Sequence, residues 1–365
     1  MKLQYIFVHG LSGWGSYDER YQKRPYWGMK NGDLMEHLKG LGYDCYAASV
    51  APKGSAWDRA CELYAQLMGT ITDYGAAHAE KANHPRYGRD FSGEPLIREW
   101  DEEHPVVLVG HSFGGATIRL FSQILVNGEK EEQEYTDPDD LSPYFKGNSA
   151  KLIRGMVTLA APHNGTTSYD MYEDPDFDPY AVKVPAFYRL LGRIISKINQ
   201  TSPDGRESFD YAPYDMHIDN ADVLNRKIET IPYVYYWSYP ASSTEIRNGV
   251  SCPKKDITEA LFIMTSTRMG SYQGKTKGGI VIDPSWQEND GLVNTVSAKA
   301  PSHSPQKEFE AANITPGIWN IMPKYPYDHM SFQGGLLKHH EIFPFYEQMM
   351  KMIASAITDG EGSVN

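Results

Sequence analysis

The sequence predicts an α/β protein with a mostly parallel central sheet, on two observations: short apolar runs alternate with helical patterns, and one run leads directly into a glycine-flanked turn. The runs, rich in β-branched or aromatic residues, lie at 5–8, 106–109, 156–160 and 233–239. Strands that alternate with helices indicate a doubly wound sheet, whose functional sites lie at the carboxyl ends of the strands. We expect a single domain over residues 1–365, with helices on both faces of the sheet.

The composition is that of a folded globular protein with an acidic surface. Of the 365 residues, 41% are hydrophobic and 22% are charged, and the formal net charge is −12. This charge repels phosphate backbones, so we expect no nucleic acid partner. The three cysteines, Cys45, Cys61 and Cys252, are too few for a disulfide framework. No apolar run reaches the roughly eighteen residues that would predict a transmembrane segment.

The beginning of the sequence bears on the compartment. Residues 4–8 already have the pattern of a buried strand, which leaves no space for a signal peptide in front of it. We therefore expect either an intracellular protein or the mature form of an exported one.

Two segments, 52–103 and 166–215, are too long to be simple connections, and we interpret them as insertions. The second contains a one-sided apolar pattern, in which six residues have the spacing of one helix face: Phe187, Leu190, Leu191, Ile194, Ile195 and Ile198. The commonest use of such a pattern is a helix packed on the core. Another pattern, at 342–357, predicts a terminal helix that packs on the sheet.

The strongest motif is Gly110-His-Ser112-Phe-Gly114, which follows a run of strand character and precedes a segment, 116–126, that can form a helix. This pattern is typical of the sharp nucleophile turn of α/β-hydrolases, where glycines on either side let the chain pass. The serine hydroxyl then stands at a helix N-terminus, where developing negative charge is stabilised. Ser112 is therefore the predicted nucleophile; the alternative is a glycine-rich turn with a passive serine.

A His9-Gly10 turn after the first predicted strand agrees with this interpretation. In α/β-hydrolases the oxyanion hole combines the amide after the nucleophile with an amide from the loop after an early strand. These would be the backbone N–H groups of Phe113 and Leu11.

A serine nucleophile needs a histidine to accept its proton and a carboxylate to orient that histidine, in the chain order serine, acid, histidine. His329 lies late, after the apolar segment 318–322, and is the candidate base; the alternative is an exposed loop histidine. Asp290, in an Asp-Gly turn before an apolar run, is the best candidate acid. Asp283 and Asp328 remain alternatives, although Asp328 adjoins the histidine and so has poor geometry for a bond between the side chains.

Six segments together resemble a known family, the bacterial family I.5 lipases, which are Bacillus-type enzymes with a zinc-binding insertion. The match extends in order over nearly the whole chain. The six segments lie at 9–15 (His-Gly-Leu-Ser-Gly-Trp-Gly), 57–62, 73–78, 110–115, 161–165 and 288–294. The resemblance implies an α/β-hydrolase fold, Ser112, Asp290 and His329 as the triad, and Leu11 and Phe113 as the oxyanion hole. Because the family is generally secreted, it also favours secretion.

The resemblance also implies a metal site. The family's zinc ligands fall on Asp58, His78, His84 and Asp215, and His217 is left open as a further ligand or a bystander. Two histidines and two aspartates suit tetrahedral zinc, and four protein ligands leave no position for water, so the implied site is structural. Without the resemblance, such widely spaced residues would be interpreted as surface residues.

Residues 185–200 align with the lid helix of the family, so we interpret the apolar pattern as a lid that can turn its apolar face toward a lipid surface. The lid region looks shorter than in the thermophilic members, which predicts a more open cleft for bulkier esters. These lipases have calcium-binding acidic residues after the histidine, whereas here no carboxylate follows before Glu341. Calcium needs several oxygen ligands, so we expect this site to be absent.

The sequence therefore predicts a serine carboxylic ester hydrolase of lipase type with a structural zinc, acting on esters at lipid–water or polymer surfaces. Within this class, the alternative is an esterase for short, soluble or polymeric esters. Outside it are a non-catalytic, zinc-stabilised binding protein and a hydrolase in which zinc does the chemistry. The complete set of nucleophile, acid, base and glycine turns argues against the binding protein. Zinc removal would distinguish the metal hydrolase, whose activity would be lost at once.

Overall fold

A parallel sheet forms the centre of the fold in a computed structural model that describes residues 1–199 and 205–362. The strands are β1 (Gln4–Val8), β2 (Asp44–Ala48), β3 (Ile71–Asp73), β4 (Tyr87–Asp90), β5 (Val106–His111), β6 (Ile153–Leu159), β7 (Tyr235–Tyr239), β8 (Thr244–Arg247), β9 (Val250–Pro253), β10 (Gly274–Lys275), β11 (Val281–Ile282), β12 (Gln306–Glu308) and β13 (Trp319–Ile321). The main sheet has the order β12-β13-β7-β6-β5-β1-β2, and every neighbouring pair in it is parallel. The predicted α/β fold with a mostly parallel sheet is confirmed.

The helices lie between these strands and beyond the last one. They are α1 (Glu19–Lys23), α2 (Leu34–Gly40), α3 (Ala56–Met68), α4 (Ala76–Ala82), α5 (Gly114–Asn127), α6 (Lys130–Tyr135), α7 (Pro143–Lys146), α8 (Thr167–Asp170), α9 (Ala186–Asn199), α10 (Ala212–Met216), α11 (Ile218–Lys227), α12 (Ile263–Ser271) and α13 (Phe343–Gly362). The predicted helices at 116–126, 185–200 and 342–357 correspond to α5, α9 and α13, although residue 200 lies outside the described residues. The four predicted strands correspond to β1, β5, β6 and β7.

The sheet is covered on both faces, which explains why its central strands are apolar throughout. In β1, Tyr5 and Phe7 pack in the core layer that contains side chains of α2 and α13. Ile6 and Val8, which point to the opposite face, pack in the layer that contains side chains of α3 and α5. A parallel strand buried on both faces has a continuous apolar sequence rather than an alternating one.

The segment 52–103, predicted as an insertion, contains α3, β3, α4 and β4. Ser55 begins α3 because its side chain accepts a hydrogen bond from Asp58 N, and Gly69 ends it with a left-handed φ of +64°. The segment 166–215 contains α8, α9 and the first residues of α10. None of the described helices has the length and apolarity needed to cross a membrane.

Glu62, on α3, fastens the loop after β2 to the segment that follows α3. Its carboxylate accepts hydrogen bonds from Ala51 N and from the Tyr74 hydroxyl. Burial raises the pKa of Glu62 from 4.5 to about 7. The folded protein therefore binds this proton more tightly than the unfolded chain does, and the stability that depends on Glu62 falls as the pH rises from about 4.5 through 7.

We predict that Glu62→Gln removes this pH dependence, because the uncharged amide can accept from Ala51 N through its oxygen and donate to the Tyr74 hydroxyl oxygen through its NH2 group. Between pH 5 and 8 the free energy of unfolding of the unmodified protein should fall relative to the variant, by roughly 3 kcal/mol at most. Urea unfolding at several pH values measures the difference, and Glu308→Gln, at an exposed position, is the control. Parallel stability curves for Glu62→Gln and the unmodified protein would contradict the prediction.

Candidate active site and metal site

Ser112 lies in a turn between β5, which ends at His111, and α5, which begins at Gly114. Its φ of +54° lies in the left-handed region, which a residue with a side chain adopts only where its surroundings hold it. A Cβ on Gly110 would lie 2.6 Å from Gly114 O, and a Cβ on Gly114 would lie 2.3 Å from Val8 O. Only glycine fits at these two positions, as the motif predicts.

Ser112, His329 and Asp290 form one hydrogen-bonded chain. The Ser112 hydroxyl donates to His329 Nε2 over 2.8 Å, and His329 Nδ1 donates to Asp290 Oδ2 over 2.8 Å. The relative exposures of the three residues are 6%, 4% and 1%. The structure thus brings together the three residues that the sequence suggests as nucleophile, base and acid.

The turn that carries Asp290 fixes its carboxylate. Asp290 Oδ1 accepts the N–H groups of Leu292 and Val293, at 3.0 and 2.8 Å, which leaves Oδ2 for the histidine. Gly291 makes this turn possible with a φ of +112°. The two alternative acids are used elsewhere: Asp283 Oδ1 accepts from Ser285 N, and Asp328 Oδ2 accepts from Glu259 N.

The predicted oxyanion hole lies beside the serine. The backbone N–H groups of Leu11 and Phe113 have no acceptor within the described parts of the chain. A Cβ on Gly10 would lie 2.8 Å from Ser112 Cβ, so the Gly10–Leu11 loop passes directly next to the nucleophile. Both amides are therefore available to an oxygen bound at Ser112.

A buried arginine that the sequence does not single out holds this loop. Arg59 donates to His9 O, to Ala51 O over 3.0 Å and, through Nε, to Thr117 Oγ1 over 2.8 Å. Burial lowers its pKa to about 10, so the guanidinium stays charged at neutral pH. Its charge lies 5.2 Å from the centre of the Phe113 ring, and it therefore adds positive potential next to the candidate oxyanion hole.

A chain of buried hydrogen bonds joins the oxyanion loop to the histidine loop. Gly10 N donates to Tyr26 Oη over 3.1 Å, Tyr26 Oη is 2.7 Å from His111 Nδ1, and His111 Nε2 is 2.9 Å from His329 O. Burial and the nearby charge of His329 lower the pKa of His111 far below its usual value, so its ring is neutral. A neutral His111 that donates from Nε2 to the carbonyl must accept from the Tyr26 hydroxyl at Nδ1. The direction of every bond in the chain is therefore fixed.

Two buried carboxylates hold the loop of His329 from its other side. Asp328 accepts from Glu259 N over 2.7 Å and from Ser331 Oγ over 2.8 Å, and burial raises its pKa to about 7. Glu259 Oε1 accepts three backbone N–H groups of residues 336–338, at 2.7 to 2.8 Å. Ser331 lies in the segment after the histidine, where the related lipases have calcium-binding acidic residues. Here its hydroxyl instead donates to the carboxylate of Asp328. The absence of calcium stays a prediction.

Ser112 and His329 face a pocket of about 210 Å³. Its walls are mainly apolar and aromatic, and include Leu11, Met29, Tyr169, Met216, Phe262 and Leu292. A pocket of this kind suits the hydrocarbon part of a small ligand, with the polar groups at one place to fix its orientation.

A second polar cluster brings Asp58, His78 and His84 together with Asp210. The structure does not place Asp215, the expected fourth ligand, in this cluster. Asp215 Oδ2 accepts from Ala56 N over 2.7 Å at the start of α3, and burial raises its pKa to about 7. Asp210, five positions earlier, occupies the place next to the histidines. His217 lies outside the cluster, 3.5 Å from Asp170.

The donor set fits a metal ion. His78 Nε2 lies 3.4 Å from Asp58 Oδ1 and 3.2 Å from Asp210 Oδ1, and His84 Nε2 lies 3.6 and 3.4 Å from the same two carboxylates. Ligands about 2.0 Å from a tetrahedral ion lie about 3.3 Å apart. Asp58 Oδ1 and His84 Nε2 are buried without a hydrogen-bond partner, which an ion would supply. None of the four residues lines the pocket at Ser112.

The apolar face of α9, predicted as a lid, is exposed. Phe187, Leu190 and Ile194 are 63%, 62% and 47% exposed, and Leu191 is half-buried. The opposite face packs on α12, where a Cβ on Gly192 would lie 2.6 Å from Met264 Cε. The side chains of Ile195 and Ile198 lie outside the described residues. No described residue of α9 is among those that line the pocket.

Comparison with known proteins assigns the chain to a family. The family model described as "Lipase-like, C-terminal domain" matches residues 2–199 and 193–355. The chain belongs to this family. It is 32% identical to a lipase of Staphylococcus hyicus in an alignment of length 354 that covers 90% of this chain and 53% of that protein. It is also 32% identical to lipase 1 of Staphylococcus aureus in an alignment of length 359 that covers 90% of this chain and 50% of that protein.

The chain thus spans about half the length of these curated relatives. Among solved structures, EstA from Clostridium botulinum has a TM-score of 0.82 and 29% identity, over 98% of this chain and 87% of that chain. The S. hyicus lipase has a TM-score of 0.79 and 29% identity, over 99% and 97%. Lipase 1 from Pelosinus fermentans has a TM-score of 0.77 and 30% identity, over 96% and 98%. The expected likeness to lipases, with an α/β-hydrolase fold, is confirmed; the narrower Bacillus-type assignment stays a prediction.

We predict that Tyr26→Phe slows turnover without weakening substrate binding. The variant keeps the buried ring but leaves Gly10 N without an acceptor and His111 Nδ1 without a donor, so the oxyanion loop and His329 lose their connection. We expect kcat to fall about 10- to 100-fold with little change in KM, measured on a soluble p-nitrophenyl ester.

The matched control is Tyr346→Phe, because Tyr346 is also fully buried and donates its hydroxyl to a backbone carbonyl, Phe332 O, over 2.8 Å. It should lose comparable stability but keep kcat. Equal effects of the two substitutions on kcat would show that the chain has no positioning role.

We predict that Asp210→Ala binds zinc at least about 10-fold more weakly, because it removes one of four ligands. Asp215→Asn should bind zinc normally, since an amide oxygen can still accept from Ala56 N. Chelator competition measures the affinity of each variant. Normal binding by Asp210→Ala together with weak binding by Asp215→Asn would restore the original assignment.

Proposed function

We propose that the chain is a serine carboxylic ester hydrolase that cleaves esters through an acyl-enzyme on Ser112. The observation that carries the proposal is the hydrogen-bonded chain Ser112–His329–Asp290 at the wall of an apolar pocket. The lipases to which the chain is similar support this class of reaction.

In the first half of the reaction, Ser112 Oγ attacks the ester carbonyl while His329 Nε2 accepts the hydroxyl proton. Asp290 keeps the imidazole oriented and stabilises its positive charge. The carbonyl oxygen becomes an anion that the amides of Leu11 and Phe113 bind, with the charge of Arg59 behind them. When the intermediate collapses, His329 gives its proton to the alcohol, which leaves.

In the second half, His329 takes a proton from a water molecule as that water attacks the acyl-enzyme. Collapse of this intermediate releases the carboxylic acid and returns the proton to Ser112. Tyr26 and His111 act here as positioning residues, because their hydrogen bonds fix the position of the oxyanion loop relative to the loop of His329.

The cluster of Asp58, His78, His84 and Asp210 would hold zinc in a structural role. Four protein side chains fill a tetrahedral site, so no position is left to activate water. None of the four lines the pocket, so a bound ion would not contact the substrate. When bound, zinc would tie the start of α3 and the segment 78–84 to the segment around Asp210. This arrangement argues against the hydrolase in which the metal does the chemistry.

The pocket and the position of α9 favour soluble or bulky esters over strict dependence on a lipid surface. No described residue of α9 lines the pocket, and its three exposed apolar side chains can contact a lipid or polymer surface. We further propose that the protein acts outside the cytoplasm, as implied by the resemblance to family I.5 lipases.

The test is hydrolysis of p-nitrophenyl esters from acetyl to palmitoyl by the unmodified protein and by Ser112→Ala. We expect the variant to lose activity by at least about 10³-fold, with the highest rates on short and medium chains. Tributyrin below and above its solubility limit should give a smooth rate curve, because no lid has to open. Activity that survives in Ser112→Ala would refute the serine mechanism. A sharp increase in rate above the solubility limit, together with a preference for long chains, would refute the proposal that no lid has to open.

A further inference from the structure

Among the described residues that line the pocket, one side chain, Arg20, is formally charged. The other polar lining groups are hydroxyls, the two histidines of the site and backbone. In an acidic chain with a net charge of −12, a single cation in an otherwise neutral pocket is chemically distinctive. It lies in the same pocket as Ser112, so a substrate bound there can reach both.

Arg20 is held by a rigid aromatic platform. Its guanidinium carbon lies 3.5 Å from the centre of the Trp14 ring. Trp14 is itself 7% exposed, donates from Nε1 to Arg24 O over 2.7 Å, and packs edge-on against Tyr26 at 5.4 Å. Stacking uses the face of a guanidinium and leaves the N–H groups at its edge available.

Among residues 1–199 and 205–362 the side chain of Arg20 forms no ion pair and no hydrogen bond, and only its backbone carbonyl is used, accepting from Arg24 N over 3.0 Å. Burial and the positive charge of Arg24 lower the pKa of Arg20. Arg24 donates to Leu336 O over 3.2 Å, and Leu336 also lines the pocket. The positive charge in this part of the pocket is thus not neutralised by the protein.

We propose that Arg20 is a specificity-determining residue that binds an anionic group, a carboxylate or a phosphate, on an ester whose carbonyl lies at Ser112. A planar guanidinium with free edge donors binds either group through two parallel hydrogen bonds. Tyr26 connects the platform under Arg20 to the oxyanion loop, because its ring contacts Trp14 and its hydroxyl accepts a hydrogen bond from Gly10 N. The inference rests on the proposed ester hydrolysis and narrows its substrates to esters with a negative charge at some distance from the reacting carbonyl.

The experiment compares matched pairs of p-nitrophenyl esters. One pair is the adipate half-ester and its methyl ester, and the suberate pair repeats the comparison with a longer chain. A third pair carries a terminal phosphate or a hydroxyl on a hexanoyl chain, so that a carboxylate and a phosphate are distinguished. In the unmodified protein each anionic ester should have the lower KM, and added salt should reduce the difference because the charge is partly exposed.

Arg20→Ala should raise KM for the preferred anionic esters about tenfold, leave kcat nearly unchanged, and leave the neutral partners within about twofold. Arg20→Lys should recover part of the effect. Arg247→Ala is the matched control, since Arg247 is exposed, pairs with Glu245 and lies outside the pocket lining. Equal changes for charged and neutral esters, or no change for either, would overturn the inference while ester hydrolysis itself stands. Loss of the proposed function would instead show as Ser112→Ala retaining activity on both members of a pair.

Discussion

The geometry of the candidate active site depends on how closely the backbone packs around Ser112. The left-handed φ of this residue costs about 1–3 kcal/mol, so the surrounding structure must hold it in place. The parallel sheet supplies the restraint: Gly110 contacts Gly114, Gly114 contacts Val8 at the end of β1, and Ser112 N donates to Leu159 O of β6 over 2.9 Å. Three neighbouring strands therefore hold the serine in a conformation that the turn alone would not keep.

The sheet positions the serine, but loops carry its partners, and loops need restraints of a different kind. Here these restraints are buried polar groups. Arg59 fixes the loop of Gly10 and Leu11, Glu259 and Asp328 fix the loop of His329, and the Tyr26–His111 chain connects the two loops. Most hydrogen bonds of these buried groups go to backbone atoms, so loss of one group leaves an unpaired donor or acceptor and not merely a smaller contact. The histidine, the oxyanion loop and the serine are thus held as one unit.

The sequence predicts the parts of this unit that have a local signature. The elbow has one because sterics demand glycine at fixed positions, and the continuous apolar runs reveal the central strands because both faces are buried. Tyr26, Arg59 and Glu259 have none, since a buried polar residue that bonds distant backbone looks like any surface residue in the sequence. His111 occupies a position of the motif to which no residue type is assigned. Its role depends on where the chain places Tyr26 and the carbonyl of His329.

The choice between Asp210 and Asp215 shows the same limit and has a structural consequence. Both aspartates bind the start of α3: Asp210 accepts from Ser55 Oγ over 2.8 Å and Asp215 from Ala56 N over 2.7 Å. Sequence spacing cannot tell which one faces the histidines, because Asp210 ends a 3₁₀ turn at 208–210 and Asp215 lies in the next helix, α10. The same segment continues to Met216, which lines the pocket and accepts from Thr166 N over 2.9 Å. An ion at the cluster would therefore reinforce a segment that protein contacts already hold, and its effect on the pocket would pass through Met216. Loss of the ion should consequently lower stability first and disturb the reaction only as this wall of the pocket loosens.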